Sequence, residues 1–338
     1  MVFLTALFDL NGTATRKQAL RVFLVLLAML AAMMALRFWA PAGSRFFQPF
    51  LGFALVWWWA TLIRRLHDAG HSGAWALGLL VPALGVVVSL AGLLLRQSRP
   101  FNDSNAALRL GGTVGLVMIL LLAISRLFWA PYDIPTESMK PTLLVGDYLM
   151  VRHVPLSWIE RGDVTVFRDP ASGQAHVKRV IGLPGDVVQM RGGVVFLNDQ
   201  PLVQTDAGHM QEAFVTQGRL GTLPRCLNAV VGVGGVCEKA LARESLADGR
   251  SWLIANIEPA GPFDNTAAFT VPEGHLFVLG DNRDNAIDSR TAPIAGGLGF
   301  VPGENVIGRA AMVLFSSSGT ALWHIWAWRG DRIFKAVE

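Results

Sequence analysis

Apolar and polar positions follow two different rhythms along this chain. Up to about residue 130 the apolar residues come in long blocks, and four of these reach the roughly 17–25 residues that cross a bilayer. They are Ala19–Trp39, Phe47–Ile63, Trp75–Leu95 and Thr113–Ala130. The third contains Pro82 and several glycines, so a kinked or re-entrant segment is expected there. From Tyr132 onward the blocks shorten to β-type runs separated by Gly, Pro and Asp turns: Tyr148–His153, Val164–Phe167, His176–Ile181, Val187–Met190, Val194–Leu197, His275–Leu279 and Val306–Leu314. That spacing predicts a mainly antiparallel β domain. Residues 205–270 are polar, with glycine gathered at Gly232–Gly235, and read as irregular.

Charge follows the same division. The 338 residues carry 29 Lys/Arg and 25 Asp/Glu. Residues 1–130 hold eleven of the basic residues but only the acids Asp9, Asp68 and Asp103. The basic excess therefore belongs to the apolar half, where it suits anionic headgroups. No basic stripe with interleaved aromatics occurs in the polar half, which argues against a nucleic-acid partner. No cleavable leader is expected, because residues 1–15 lack a basic start and an apolar core. If all four blocks span, Arg16, Lys17, Arg21, Arg64 and Arg65 face one side, and Arg37, Arg45, Arg96, Arg99 and Arg109 the other. Five against five, the positive-inside rule gives no orientation.

Three stretches of the β half carry candidate chemistry. In Asp133-Ile-Pro-Thr-Glu-Ser138-Met-Lys-Pro-Thr142, Pro135 and Pro141 stiffen the chain around one serine. His176-Val-Lys178-Arg-Val-Ile-Gly-Leu-Pro-Gly-Asp186 puts one lysine in an apolar strand-like run. Gly280-Asp-Asn-Arg-Asp-Asn-Ala-Ile-Asp-Ser-Arg290 is dense in charge. Alone, Ser138 reads as a turn serine and Lys178 as a solvated strand lysine. In this order, together with Arg161-Gly-Asp-Val164 and Gly299-Phe-Val-Pro302 through Gly308-Arg-Ala310, they resemble the signature boxes of bacterial type I signal peptidases, the Ser/Lys leader peptidases of the S26 family. The likeness runs from about Tyr132 to about Leu314. A second resemblance covers about residues 8–112. Arg64-Arg-Leu-His-Asp-Ala-Gly-His-Ser-Gly73, Trp75 and the Asn102–Gly111 stretch are similar to DUF805, small bacterial inner-membrane proteins to which no activity attaches.

Together with the long apolar blocks, the first resemblance implies a multi-span α-helical membrane domain followed by a mainly antiparallel β catalytic domain of signal-peptidase type. Residues 1–112 would form the DUF805-like membrane domain, with about three apolar spans. Residues 113–131 would form a transmembrane anchor, and 132–338 the peptidase domain, with an accessory insertion at about 205–270. It implies a serine endopeptidase that removes N-terminal signal peptides from exported preproteins. The enzyme would sit in the bacterial inner (cytoplasmic) membrane, multi-pass, with the catalytic domain on the periplasmic side. Ser138 would be the nucleophile and Lys178 its base. The Ser138 N–H and the Thr136 hydroxyl would serve the oxyanion. Ile134, Pro135, Met139, Leu143 and Val177 would line the substrate pockets, and Arg179, Asp281, Arg283, Asp288 and Arg290 would brace the site. No cofactor is called for; the partners are preproteins and membrane lipid, with no nucleic acid. Many relatives carry serine where this chain has Ala286, so either another group orients Lys178 or activity is lowered.

Two alternatives remain: a specialised peptidase of the same fold with few substrates, such as pilins, and a non-catalytic membrane assembly protein. Cys226 and Cys237 fit a disulfide or two free thiols. The resemblance favours the bridge, which some relatives carry in the accessory region. His67-Asp-Ala-Gly-His71 superficially matches the histidine spacing of helical zinc sites, but Asp68 replaces the glutamate base and the glycines argue for a loop, so no metal is assigned. Gly232-Val-Gly-Gly235 lacks the lysine and helix of a phosphate cradle. Trp323-His-Ile-Trp-Ala-Trp328 with Arg329, Arg332 and Lys335 suits either a membrane interface or ordinary terminal packing.

Overall fold

The computed structural model describes residues 10, 13–39, 41–80, 82–98, 117, 121, 124–228, 230–319 and 325–337. The chain divides into two units, Met1–Phe128 and Trp129–Glu338.

The first unit contains helices Arg16–Trp39, Pro41–Asp68 and Pro82–Leu94, with a 3-10 helix at Gly73–Leu80 before the last. Val22, Leu26, Trp58, Trp59 and Leu62 form its core, and Trp58 donates its indole N–H to Ser89 Oγ at 3.2 Å. Arg16 donates to the carbonyls of Leu93 and Leu94, at 3.0 and 2.8 Å, and so caps the end of Pro82–Leu94. Among the described residues one helix, Arg16–Leu36, is long and apolar enough to cross a membrane, with mean hydropathy 2.5. The third expected span is not one helix. Its chain leaves the 3-10 geometry at Leu80, and the 13 residues of Pro82–Leu94 extend only about 20 Å. The fourth, Thr113–Ala130, lies largely outside the described residues, and its last two positions belong to a strand. The expected loop around His67 also differs. The helix continues to Asp68, which Arg65 pairs at 2.7 Å in the buried interior. It ends at Gly70, whose φ of 77° is the left-handed stop that glycine tolerates best.

Among the described residues the second unit is built from fifteen strands in three antiparallel sheets. These are β1 Trp129–Asp133, β2 Asp147–Arg152, β3 Val164–Arg168, β4 Ala175–Gly182, β5 Val187–Arg191, β6 Val194–Leu197, β7 Gln200–Pro201, β8 Val203–Ala213, β9 Val236–Ser245, β10 Ser251–Asn256, β11 Phe269–Thr270, β12 His275–Leu279, β13 Val301–Pro302, β14 Val306–Ser316 and β15 Lys335–Ala336. The largest sheet runs β1-β2-β14-β3-β4-β12-β13, with β15 added to β14. The second runs β11-β5-β6-β7, and the third β10-β9-β8. All seven β-type runs of the sequence are strands. The region read as irregular is not: β8, β9 and β10 form a sheet of their own. Their apolar alternation is weak because β8 is exposed along most of its length.

Close backbone approaches explain particular residues. Gly146 has φ +90° and leaves no room for a side chain, since a Cβ there would stand 1.9 Å from the Ser317 carbonyl oxygen. The C-terminal segment packs onto this unit. Trp328 stacks on Phe315 at 5.1 Å, and the buried Arg332 grips Asp147 at 2.9 and 2.5 Å. Terminal packing therefore accounts for Arg332 and Trp328, while Trp326 stays exposed.

Candidate active site

Ser138 sits on the turn between β1 and β2, and Lys178 points from β4 towards it. The turn is held from below by its own apolar residues. Ile134, Met139 and Leu143 are buried in one core cluster with Leu149, Val151, Val164 and Val166, and Val177 packs against it. From the other side Asn282 clamps the backbone. Its N–H donates to Ser138 O at 3.1 Å and its side-chain amide to Glu137 O at 3.2 Å. Gly280 makes that approach possible, because a Cβ there would lie 2.6 Å from Ser138 O and 2.3 Å from the Ala286 Cβ.

Lys178 Nζ lies 2.9 Å from Ser138 Oγ and donates to Val177 O at 3.1 Å. The lysine is 3% exposed. Burial lowers its amine from the usual 10.5 to about 8, against the opposing pull of Asp288 and Asp281. No carboxylate among the described residues ion-pairs with it. A hydroxyl in contact with an amine that gives up its proton more readily than a free lysine is an arrangement that can supply a nucleophile and its base. Thr136 is exposed, with Oγ1 3.5 Å from Ser138 Oγ.

The bracing charges are all paired. Arg179 grips Asp281 at 2.8 and 2.7 Å, donates to Gly162 O at 2.7 Å and stacks over Trp252 at 4.8 Å. Thr142 Oγ1 donates to Asp281 at 2.5 Å. Arg290 grips Asp288 at 2.9 and 2.8 Å, and Asp288 also accepts from Gly280 N at 3.1 Å. The partner of Arg283 was invisible in the sequence. It is Glu244 on β9, held by both terminal nitrogens, while Gln204 and the Trp252 indole N–H donate to the same carboxylate at 3.0 and 3.1 Å. Burial alone would raise the Glu244 carboxyl; Arg283 and the other donors more than offset this and hold it below its usual range.

A cleft of about 560 Å³ opens over the serine. Ser138, Lys178, Thr136, His176 and Ala286 line it. Thr222, Leu223 and Arg225 add a wall from the region between β8 and β9, and Phe263 another. The sequence singled out none of these last four. Of the expected pocket residues, Ile134, Met139 and Leu143 form the floor of the serine turn, not the walls of this cleft. Their apolar side chains are taken up by the core beneath the turn. Cys226 and Cys237 are bonded, with Cα atoms 5.1 Å apart.

The fold and the site together define an antiparallel β unit built around a serine hydroxyl in contact with a buried lysine amine. The family profile "Signal peptidase, peptidase S26" matches residues 107–315, and "Protein of unknown function (DUF805)" matches residues 7–104. The signal peptidase I of Rickettsia prowazekii (strain Madrid E) is 32% identical over 238 residues, which cover 62% of this chain and 80% of that protein. That of Rickettsia typhi (strain ATCC VR-144 / Wilmington) is 32% identical over 233 residues, 60% of this chain and 78% of the relative. A crystal structure of a signal peptidase I from Enterococcus faecalis V583 is similar over 45% of this chain and 95% of its own, at 26% identity and a TM-score of 0.23. This chain belongs to the signal peptidase, peptidase S26 family.

Proposed function

We propose that this protein is a membrane-anchored endopeptidase that cleaves signal peptides from exported preproteins, with Ser138 as nucleophile and Lys178 as general base. The observation that carries the reading is the 2.9 Å contact between Ser138 Oγ and a buried lysine amine that has no carboxylate ion-paired to it. Neutral Lys178 accepts the Ser138 proton as Oγ attacks the scissile carbonyl. The tetrahedral oxyanion takes hydrogen bonds from the Ser138 N–H and the Thr136 hydroxyl. The ammonium then returns its proton to the leaving amine, which departs and leaves an acyl-enzyme. Water, deprotonated by the same lysine, hydrolyses the ester and restores Ser138.

The substrate enters as an extended strand. β1 is the edge of the large sheet. β12 pairs with β4 only at Arg179, Val180 and Gly182, so the segment of β4 bearing His176 and Lys178 keeps one edge open to a peptide. The small side chains of an A-x-A cleavage site fit against Val177 and Pro135, over the floor of Ile134, Met139 and Leu143. Residues 1–112 act as the DUF805-like membrane domain, and the segment after them, up to the start of β1 at Trp129, as the anchor. The chain crosses the inner membrane more than once and presents the β unit to the periplasm.

The test is cleavage of a preprotein by the full chain in detergent, read by the mass of the released fragments. Ser138→Ala and Lys178→Ala each abolish product while the β unit keeps its circular dichroism. More than a few per cent of activity in either purified variant defeats the mechanism.

A further inference from the structure

Two charged side chains bracket the nucleophile, Glu137 just before it and Lys140 two residues after, and neither takes part in the chemistry above. They are 7% and 1% exposed. Lys140 Nζ reaches the two oxygens of Glu212 at 2.8 and 2.6 Å, Gln217 Oε1 at 2.9 Å and Glu137 Oε2 at 3.4 Å. Lys239, fully buried, lies 3.1 Å from Glu137 and 3.5 Å from Glu212, and donates to Arg225 O. Glu137 Oε1 also accepts from the Arg225 N–H at 3.2 Å. Glu212 is on β8 and Lys239 on β9. Arg225 precedes Cys226, whose bond to Cys237 ties that segment to the start of β9. Two carboxylates and two ammonium groups thus form a closed, neutral set. Each residue bracketing the serine is held by an opposite charge from the insertion.

Stability alone is a poor reason for such a set. Three buried charges and a fourth, Glu212, that is largely buried cost their hydration, and apolar groups of the same volume commonly hold two elements together as well or better. What charges add is direction: each bond fixes where one atom of the serine turn lies. The backbone of the turn is already fixed from the sheet side by Asn282. The side chains at both shoulders are fixed from the insertion side. We infer that the accessory insertion is a positioning element for the nucleophile, with Glu212 and Lys239 acting through Lys140 and Glu137 to hold Ser138 Oγ in line with Lys178. The inference rests on Ser138 and Lys178 being the reacting pair. Misplacing a reacting atom by about 1 Å can cost on the order of a hundredfold in rate.

The experiment uses the full chain in detergent and a signal-peptide substrate, with rates normalised to folded protein from thermal melts. Glu212→Gln keeps the shape and leaves one ammonium uncompensated. It is expected to lower kcat by about ten- to a hundredfold and change KM less than threefold. The rate plateau above pH 9 falls while the midpoint of the acid limb stays in place, because Lys178 itself is untouched. Glu212→Gln combined with Lys140→Met restores a neutral set but not the bonds that hold this shoulder of the turn, and is expected to stay at least about tenfold slower than the parent. A Glu212→Gln variant whose kcat per folded molecule matches the parent overturns the proposal, even if its Tm falls. So does a neutral double variant that regains the parent's kcat, because charge balance and not direction would then be what the set supplies. Failure of the underlying mechanism looks different: the parent then cleaves equally well with Ser138→Ala, whatever Glu212 does.

Discussion

The acidity of Lys178 makes a prediction that can be worked through from the structure. An ordinary lysine at 10.5 is neutral in only about three molecules in ten thousand at pH 7, whereas one at about 8 is neutral in roughly one in ten. Burial thus supplies about three-hundredfold more free base. On the full chain, kcat/KM for a signal-peptide substrate should rise about tenfold per pH unit below 8 and level off near pH 9. The same displacement acts on stability. The folded-state value lies below the unfolded one, so between about 8 and 10.5 the unfolded chain binds more protons. Burial of Lys178 therefore weakens folding most below pH 8, and the penalty fades as pH climbs to 10.5. The full displacement corresponds to about 3 kcal/mol. Lys178→Met, which fills the same space without the amine, should raise stability by about 2–3 kcal/mol at pH 6 and by much less at pH 10.5, measured in urea melts. A plateau already reached at pH 6, or a rate still climbing tenfold per unit at pH 10, would refute the reasoning. A Lys178→Met gain equal at both pH values would do so as well.

Three further outcomes follow from the geometry. Ala286→Ser should change kcat/KM by less than threefold, because Val177 O already gives the amine a second fixed contact; a rise of tenfold or more would show that this carbonyl does not orient it. Replacing Cys226 and Cys237 together with serine should cost about 2–3 kcal/mol, as expected for a short closed loop, and an unchanged urea midpoint would contradict this. Glu244→Ala, which strands the buried Arg283, should destabilise the β unit by about 3–5 kcal/mol, and a loss below 1 kcal/mol in calorimetry would mean the guanidinium finds water or another acceptor.

How much of this was legible in the sequence depended on whether the signal was local. Strands such as β4 and β12 have one or both faces in the core, so their apolar residues recur at the strand period. The strands of the insertion do not. β9 buries Lys239 and Glu244 completely, and a buried ion pair looks in sequence like two surface charges. β1 was read as the end of an apolar span because Trp129 and Ala130 are apolar; its Pro131 is tolerated because the strand lies at the sheet edge. The serine and the lysine were found through the order of their boxes. Their contact, and the burial that lowers the amine, depend on packing between segments forty residues apart. The requirement that the buried arginines be paired was foreseeable. That Arg283 would find its carboxylate 39 residues away on β9 was not.

The pairing pattern also explains how a site so rich in acids can leave its lysine amine easier to deprotonate than a free one. Asp281, Asp288 and Glu244 are buried carboxylates, and the first two pull the Lys178 amine towards its charged form. Left alone, either could form an ion pair with the lysine and hold it as an ammonium, useless as a base. Each is instead gripped through two oxygens by a guanidinium: Asp281 by Arg179, Asp288 by Arg290 and Glu244 by Arg283. Arginine suits this task and lysine does not. Its guanidinium does not give up its proton, so it adds no second titrating amine beside Lys178. Its planar fork also occupies both carboxylate oxygens in one geometry, which leaves neither free to swing towards Nζ. The acids therefore stiffen the floor of the site while their charge is spent elsewhere, and desolvation outweighs what remains of their attraction. Exchanging any one of these arginines for lysine would loosen that separation, because a second titratable amine would then share the carboxylate with Lys178.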